Sequence, residues 1–336
     1  MGSFFSREPQ HDPFDPIKDL PDLSGKVIIV TGGNSGIGFT TVQYLARKGA
    51  KVYIAGRSEA RVKAAIERLH AEGLEPGNGA VEWLKLDLGD PRKVKESAEK
   101  FAARETRLDV LVNNAGVMNG QYVLNKDGII ESMVTNFISP VVFTRALLPL
   151  LTQTARQPKA DVRIVWVSSI AMSQLKGREV RFRNVEDLNE KFGLHPLQPI
   201  LRYAKSKLAV FLWARKLQAE LDAAGTPITI VSVHPGAVWS EGVYNEPFFR
   251  LPVVGTLAAA IMSRTFLPPA IGAHPSVVAT ASPAVTAEKE KYTKGLLLQP
   301  AGKLGDVPAP QCNDEKLADE VWATAEALLK QWDISV

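Results

Sequence analysis

The sequence predicts an α/β protein, a doubly wound parallel sheet with helices on both faces. Three observations carry that prediction. Strand-like and helical segments alternate from Lys26 onward, short Gly or Pro connectors join them, and a glycine-rich turn directly follows the first apolar run. The strand-like runs are Val27–Thr31, Lys51–Ala55, Val81–Leu86, Val110–Asn113, Arg163–Val167 and Ile228–Val233. Helical periodicity fills the gaps at Gly36–Lys48, Ser58–Ala71, Pro91–Arg104, Gly128–Leu151 and Tyr203–Ala223. Such alternation covers both sheet faces.

Composition narrows the function classes. The chain has 336 residues, 45% hydrophobic and 23% charged, an ordinary globular make-up. A net charge of +4 is small for this length, and no basic run is interleaved with aromatics, so nucleic acid is not an expected partner. The basic stretch from Lys176 to Arg183 reads as a solvated loop. Cys312 is the single cysteine, which excludes an intrachain disulfide and suits a reducing, cytoplasmic setting. The five histidines (His11, His70, His195, His234, His274) have no ligand spacing, so no metal site is expected.

Neither a signal peptide nor a transmembrane segment is expected. The longest apolar stretch, near Leu251–Met262, is broken by Pro252 and Gly255 and is too short to span a bilayer. The start, Met1-Gly2-Ser3-Phe4-Phe5-Ser6, fits the loose N-myristoylation pattern at Gly2. One acyl chain would give only marginal peripheral membrane contact, and a tail that happens to begin with Gly is the plainer reading.

Residues 1–24, with four prolines and no periodicity, read as an extended arm, and residues 25–336 as a single domain. Two segments break its rhythm. The connector Ala171–Leu201 is long, polar and proline-punctuated, with a charged piece, Glu186–Lys191, compatible with a short helix. Loops of that length inside a compact domain are usually functional. Residues 241–283 mix Phe248, Phe249, Leu251, Leu257, Met262 and Phe266 with prolines, as a satellite core cluster or a lid over an apolar substrate. A terminal helix, Glu315–Gln331, carries Leu317, Val321, Trp322, Ala325, Leu328 and Leu329 on one face.

In Thr31-Gly-Gly-Asn-Ser-Gly-Ile-Gly38 the glycines at 32, 36 and 38 let backbone N–H groups approach an anion. The helix beginning at Gly36 adds its positive end. A strand before and a helix after distinguish a pyrophosphate cradle from an ordinary tight turn. Beyond the second strand, an NAD site usually presents a carboxylate to the ribose. Here the chain reads Ala55-Gly-Arg57-Ser, and Arg57 can fork onto a 2′-phosphate, or be a surface arginine at a helix start. NADP(H) is therefore expected, with NAD(H) second. Asp87 can accept from an adenine amino group or cap the helix near Pro91, a task for which Asp90 is better placed.

Tyr203 and Lys207, four apart, share a helix face. A charged Lys207 is expected to favour phenolate and pull Tyr203 below its usual pKa near ~10. Tyr203 can then give a proton to a carbonyl oxygen as hydride arrives, or take one in reverse. Ser169, at the end of Val165-Trp-Val-Ser-Ser169, can donate to the same oxygen. The run Val110–Gly116 ends in small polar residues where the chain passes a cofactor closely. Asn136 is costly inside a helix, which points to a polar task.

In order, TGGNSGIG, NNAG, Asn136, SS, YAKSK and His234-Pro-Gly236 resemble the short-chain dehydrogenase/reductase superfamily from residue 26 to about 240. The C-terminal stretch with Trp322 is similar to the retinol-dehydrogenase-like branch and its fungal relatives. The resemblance implies a Rossmann domain and a triad of Ser169, Tyr203 and Lys207, with Asn136 holding a water behind Lys207. It implies cofactor contacts from Gly32, Asn34, Ser35, Gly36, Ile37, Gly38, Arg57, Asp87, Leu88, Asn114, Ala115, Gly116, Tyr203, Lys207, Pro235, Gly236, Val238 and Ser240. Ser240 stands where relatives usually have Thr. Residues 34 and 35 lack the basic residue of many NADP enzymes, which leaves that preference on Arg57.

The implied activity is NADP(H)-dependent interconversion of a carbonyl and an alcohol on an apolar small molecule, such as a retinal-like aldehyde or a polyketide or terpenoid ketone. The alternative is a catalytically silent, dinucleotide-binding regulatory or scaffold protein, which would commonly have lost Tyr203 or Lys207. The resemblance also implies a homodimer paired through the long helices at Gly128–Leu151 and Tyr203–Ala223.

Overall fold

The structure, a computed structural model, describes residues 14–118, 120–238, 264, 266–298 and 303–336. Six strands match the predicted runs: β1 (Val27–Thr31), β2 (Lys51–Gly56), β3 (Val81–Lys85), β4 (Val110–Asn113), β5 (Val162–Val167) and β6 (Ile228–Val233). The sheet order is β3-β2-β1-β4-β5-β6-β7-β8, with β7 (Leu296–Leu298) parallel to β6. The edge strand β8 (Lys303–Gly305) is antiparallel to β7. The six parallel strands are the predicted sheet, and the edge hairpin is an addition that the sequence reading did not include. Its strands have three residues each, too few to register as a period.

Helices cover both faces. One carries α1 (Gly36–Arg47), α2 (Glu59–Ala71) and α6 (His274–Ala281). The other carries α3 (Pro91–Arg104), α4 (Ser139–Ala155), α5 (Gln198–Ala223) and α7 (Glu315–Gln331). Caps stand where short polar residues precede the helices. Ser58 accepts from the Arg61 N–H at the start of α2, and Asp90 accepts from Arg92 before α3, whose first residue is Pro91.

Both long helices depart from the periodic reading at their starts. Gly128 has φ +74° and lies in a turn. A short helical piece, Glu131–Met133, and a π-helical turn, Val134–Ile138, then lead into α4. Pro140 lacks the N–H that an α-helix would send to the Asn136 carbonyl, which favours the wider turn there. Helix α5 begins five residues before Tyr203, with Pro199 in its first turn.

Two segments differ from their expected roles, and a third holds the short helix expected of it. Residues 14–24 are not an extended arm. Asp15 caps a helical turn, Pro16–Asp19, Leu20 and Leu23 are buried, and Lys48 Nζ donates to the Ile17 carbonyl at 3.0 Å. Of the 241–283 region, 241–263 lies outside the described residues, while 274–281 is core rather than lid. Every residue of α6 is buried. The connector 171–201 contains a 3₁₀ stretch, Ile170–Leu175, and a short helix, Val185–Leu188, capped by Asn184.

The terminal helix α7 packs across α5. Trp322 stacks on Trp213 with centroids 5.5 Å apart and planes at 14°, and Lys216 pairs with Asp319. Arg145 of α4 reaches both Glu326 and the Val336 carbonyl, the latter at 3.1 Å. The helices named for pairing two copies thus carry the chain's own C-terminal helix. Glu131–Ala155 is long and apolar enough to cross a membrane, a feature the sequence reading passed over, but 72% of its apolar window is buried inside the fold.

Candidate active site

All strands from β1 to β6 point their C-terminal ends to one edge, and strand order reverses between β1 and β4. That reversal opens a crevice at the sheet edge. The two loops flanking it are stitched together by Thr31. Its hydroxyl accepts from the backbone N–H groups of Asn114 (3.0 Å) and Ala115 (2.9 Å), while Asn114 Nδ2 donates to the Thr31 carbonyl at 2.8 Å. Gly32 has φ +66°, and a Cβ there would stand 3.2 Å from Ala115. A Cβ at Gly38 would collide with the Gly32 carbonyl oxygen. Only glycine fits this cradle. At the mouth of α1, Ser35 makes no side-chain cap bond, which leaves the first N–H groups open to an anion. The residues present therefore fit a dinucleotide pyrophosphate.

At the end of β2, Asn34, Arg57, Ser58 and Arg61 line an open depression of about 230 Å³. Arg57 and Arg61 are exposed, and neither pairs with a carboxylate among the described residues. Sequence reading named Arg57 but missed Arg61, which lies four residues on at the start of α2. The i,i+4 spacing was the available signal. Asp87 accepts from the Gly89 N–H at 3.1 Å, and the cap of α3 belongs to Asp90.

The catalytic candidates converge at the ends of β4 and β5. The Tyr203 phenol stands beside Ser169, whose hydroxyl favours its ionised form, and Ser169 Oγ accepts from the Ala171 N–H at 3.1 Å. Lys207 is buried, its Nζ donating to the Val167 carbonyl at 2.7 Å and lying 5.6 Å from the centroid of the Tyr203 ring. Gly116 fits between neighbours: a Cβ there would be 3.2 Å from Lys207 Nζ and 3.3 Å from Asn136 Oδ1. Asn136 clamps the loop after β4. Its Oδ1 accepts from the Val117 N–H at 2.7 Å, and its Nδ2 donates to the Val117 carbonyl and to Ser206 Oγ, both at 2.9 Å. Ser206 in turn donates to the Tyr203 carbonyl at 2.7 Å. Ser206, inside the YAKSK run, is a second residue whose part was not read from sequence.

One electrostatic expectation is overturned. Burial pushes the Tyr203 phenol up to about 12, against a smaller lowering from its Ser169 hydrogen bond. Burial also pulls Lys207 down to about 8. Desolvation dominates both groups in the protein by itself, and the hydrogen bond that Lys207 makes goes to the Val167 carbonyl, with its Nζ 5.6 Å from the centre of the phenol ring. Tyr203 is therefore held as an acid, the form that donates a proton. His234, beside the crevice, is buried with an unpartnered Nδ1 and pulled down to about 4.

Pro235 is buried, and Gly236 has φ +83°, so the chain turns sharply at the end of β6. Val238 bridges to Leu267 and packs on Gly272, which also approaches Ile37 of the glycine turn. Leu88 is buried and Asp87 half-buried below β3. Ser240 lies outside the described residues.

Relatives can now be set beside this geometry. Residues 26–179 match the family model described as short chain dehydrogenase. A short-chain dehydrogenase/reductase of the fungus Armillaria gallica is 42% identical over 94% of this chain and 96% of its own length. This chain belongs to the short-chain dehydrogenase/reductase family. It is accordingly an oxidoreductase with a Rossmann-type α/β fold and a nicotinamide dinucleotide cofactor. Among solved structures, an uncharacterized protein from Mycobacterium paratuberculosis is 28% identical, with a TM-score of 0.64 over 94% of this chain and 97% of that one. A protein from Beutenbergia cavernae described as a candidate NAD(P)-dependent gluconate 5-dehydrogenase, with NADP bound at low occupancy, is 26% identical, with a TM-score of 0.59 over 84% of this chain and 97% of that one.

Proposed function

We propose that this short-chain dehydrogenase/reductase uses NADP(H) to interconvert a carbonyl and an alcohol on an apolar small molecule, with Tyr203 as the acid and base. The observation that carries the reading is the meeting of Tyr203, Ser169 and buried Lys207 at one sheet edge, the edge that also holds the glycine cradle. Arg57 and Arg61, exposed above their depression and without a carboxylate partner among the described residues, support a 2′-phosphate and hence NADP(H) over NAD(H). The bound NADP of the Beutenbergia relative agrees with that choice.

When bound, the nicotinamide supplies or accepts the hydride. The chain's residues do the rest. Ser169 and Tyr203 hold the substrate oxygen from one side, as two neighbouring hydroxyl donors. Tyr203, neutral at working pH, passes its hydroxyl proton to that oxygen as negative charge develops there. The Lys207 ammonium, fixed by Val167, then faces the phenolate that proton transfer creates, so its attraction is strongest where the reaction needs it. Asn136 and Ser206 tie this turn of α5 to the loop after β4 and keep Gly116 open for the cofactor.

Apolar substrates fit the rim. Among the described residues the exposed large hydrophobic side chains are Met118, Val123, Leu124, Leu194 and Leu197, all on two segments that bond to each other beside Tyr203. Retinal-like aldehydes and polyketide or terpenoid ketones are the substrate classes of that kind, and the fungal look of the sequence adds secondary metabolites to them by analogy.

The test is a panel of apolar aldehydes and ketones with NADPH. Tyr203→Phe is expected to lower turnover by about 10²–10⁴-fold with unchanged NADPH affinity. Undiminished reduction by that variant removes the mechanism. No oxidation with any compound, alongside tight NADPH binding, favours the silent binding protein.

A further inference from the structure

We propose that Lys205 is a positioning residue: its buried ion pair with Glu190 braces the connector against the catalytic helix and so sets the shape of the substrate mouth. The proposal rests on the reductase reading above.

Lys205 lies between Tyr203 and Lys207, yet its side chain is only 2% exposed and faces away from the triad's hydrogen bonds, into the connector. Its Nζ donates to the Asp187 carbonyl at 2.6 Å and to Glu190 Oε2 at 2.5 Å, and the rings of Phe182 and Phe192 stand 5.4 and 5.8 Å from it. Burying an ammonium in this way is costly, and replacing a whole ion pair of this kind by apolar residues of similar volume is often neutral or stabilising. Stability therefore does not explain the residue. Holding the connector in one place does.

The gripped segment is itself a brace. Asn189, between the two Lys205 acceptors, uses its Oδ1 to accept from the Ile130 N–H at 2.8 Å and its Nδ2 to donate to the Gly128 carbonyl at 2.7 Å. Its backbone carbonyl accepts from the Tyr122 hydroxyl at 2.8 Å. Arg202, one residue before Tyr203, closes the circuit by donating to the Gly120 carbonyl at 3.0 Å. The Tyr122 ring lies between two cations, Lys191 at 5.0 Å and Arg202 at 5.7 Å. Catalytic helix, connector and the 120–130 loop are thus joined in a ring, and that loop runs directly into the π-helical turn of Asn136. Phe192, a bulky residue held at φ +61°, marks the point where the connector leaves Lys205 for exposed Leu194.

The experiment uses the full chain as wild type, Lys205→Met, Glu190→Gln and Glu190→Asp. Amide hydrogen exchange reads residues 120–131 and 185–201, NADPH titration reads the cofactor site, and steady-state rates use a carbonyl that the wild type reduces. In Lys205→Met and Glu190→Gln, both segments should exchange faster while the sheet strands do not. The KM for the carbonyl should rise about tenfold with kcat and NADPH affinity little changed, because the mouth rather than the acid is disturbed. Glu190→Asp, which keeps the charge, should recover most of the loss. Faster exchange confined to the connector, or a lowered kcat with unchanged KM, overturns the proposal. If the wild type reduces no carbonyl, the functional reading has failed, and the exchange pattern alone decides for or against Lys205.

Discussion

The Lys207 amine donates a 2.7 Å hydrogen bond to the Val167 carbonyl, at the last residue of β5. Ser169, the hydroxyl beside Tyr203, stands two residues further along the same chain. One strand end therefore fixes both the cation and the second donor, and the phenol is carried up to them by α5.

That arrangement gives a pH dependence. Lys207, pulled down to about 8, is charged below that value and neutral above it, while Tyr203, pushed up to about 12, keeps its proton throughout the working range. The kcat/KM for carbonyl reduction should fall as pH rises through about 8. Initial rates at limiting carbonyl, from about pH 6 to about pH 10, report it. A profile flat across that interval would remove the charged amine from the reaction.

Cofactor choice should depend on both arginines at the β2 end. Arg57→Ala and Arg61→Ala should each weaken NADPH binding by roughly tenfold, the loss of a charge-assisted hydrogen bond, and leave NADH binding nearly untouched. Fluorescence titration with the two nucleotides measures this directly. Equal losses for both would point to a general defect of the fold instead.

Gly116 tests the fit between the loop after β4 and the catalytic residues. An alanine there would bring its methyl 3.2 Å from Lys207 Nζ and 3.3 Å from Asn136 Oδ1, with no demand for positive φ. The fold should survive, whereas displacing those groups by a few tenths of an ångström should lower kcat about tenfold. Thermal melting and steady-state rates, run together, separate the two effects.

His234 makes the fold acid-sensitive. Its pKa falls from the usual 6.5 to about 4 on folding, so between these values the unfolded chain binds the proton and the folded one does not. The stability held by neutral His234 is complete above about 6.5 and declines as pH drops toward about 4. Melting curves across that window should show a smaller acid loss for His234→Asn than for wild type. Identical losses would place the acid sensitivity elsewhere.

The core of this protein was legible because its signals are local. Val27–Thr31 before the glycines, Ser58 and Asp90 before their helices, and the four-residue step from Tyr203 to Lys207 each act within one turn or strand. What escaped depends on tertiary neighbours. No period marks a three-residue edge strand. Apolar residues 274–281 look the same in a lid as in a core, and only their burial against the sheet decides. The direction of the Tyr203 shift was misread for the same reason: sequence shows the ammonium nearby, but not that it is occupied by a backbone carbonyl or that the phenol is desolvated. Arg61 and Ser206 were within reach of spacing arguments, whereas the Lys205–Glu190 brace joins residues whose meeting only the folded connector reveals.

Helix α7 lies on the faces of α4 and α5 that carry Arg145 and Trp213. A second copy that used those two faces would have to displace α7 and would forfeit the Trp213–Trp322 stack and the Arg145 contacts. The last helix thus gives those faces, within a single chain, a cover of their own.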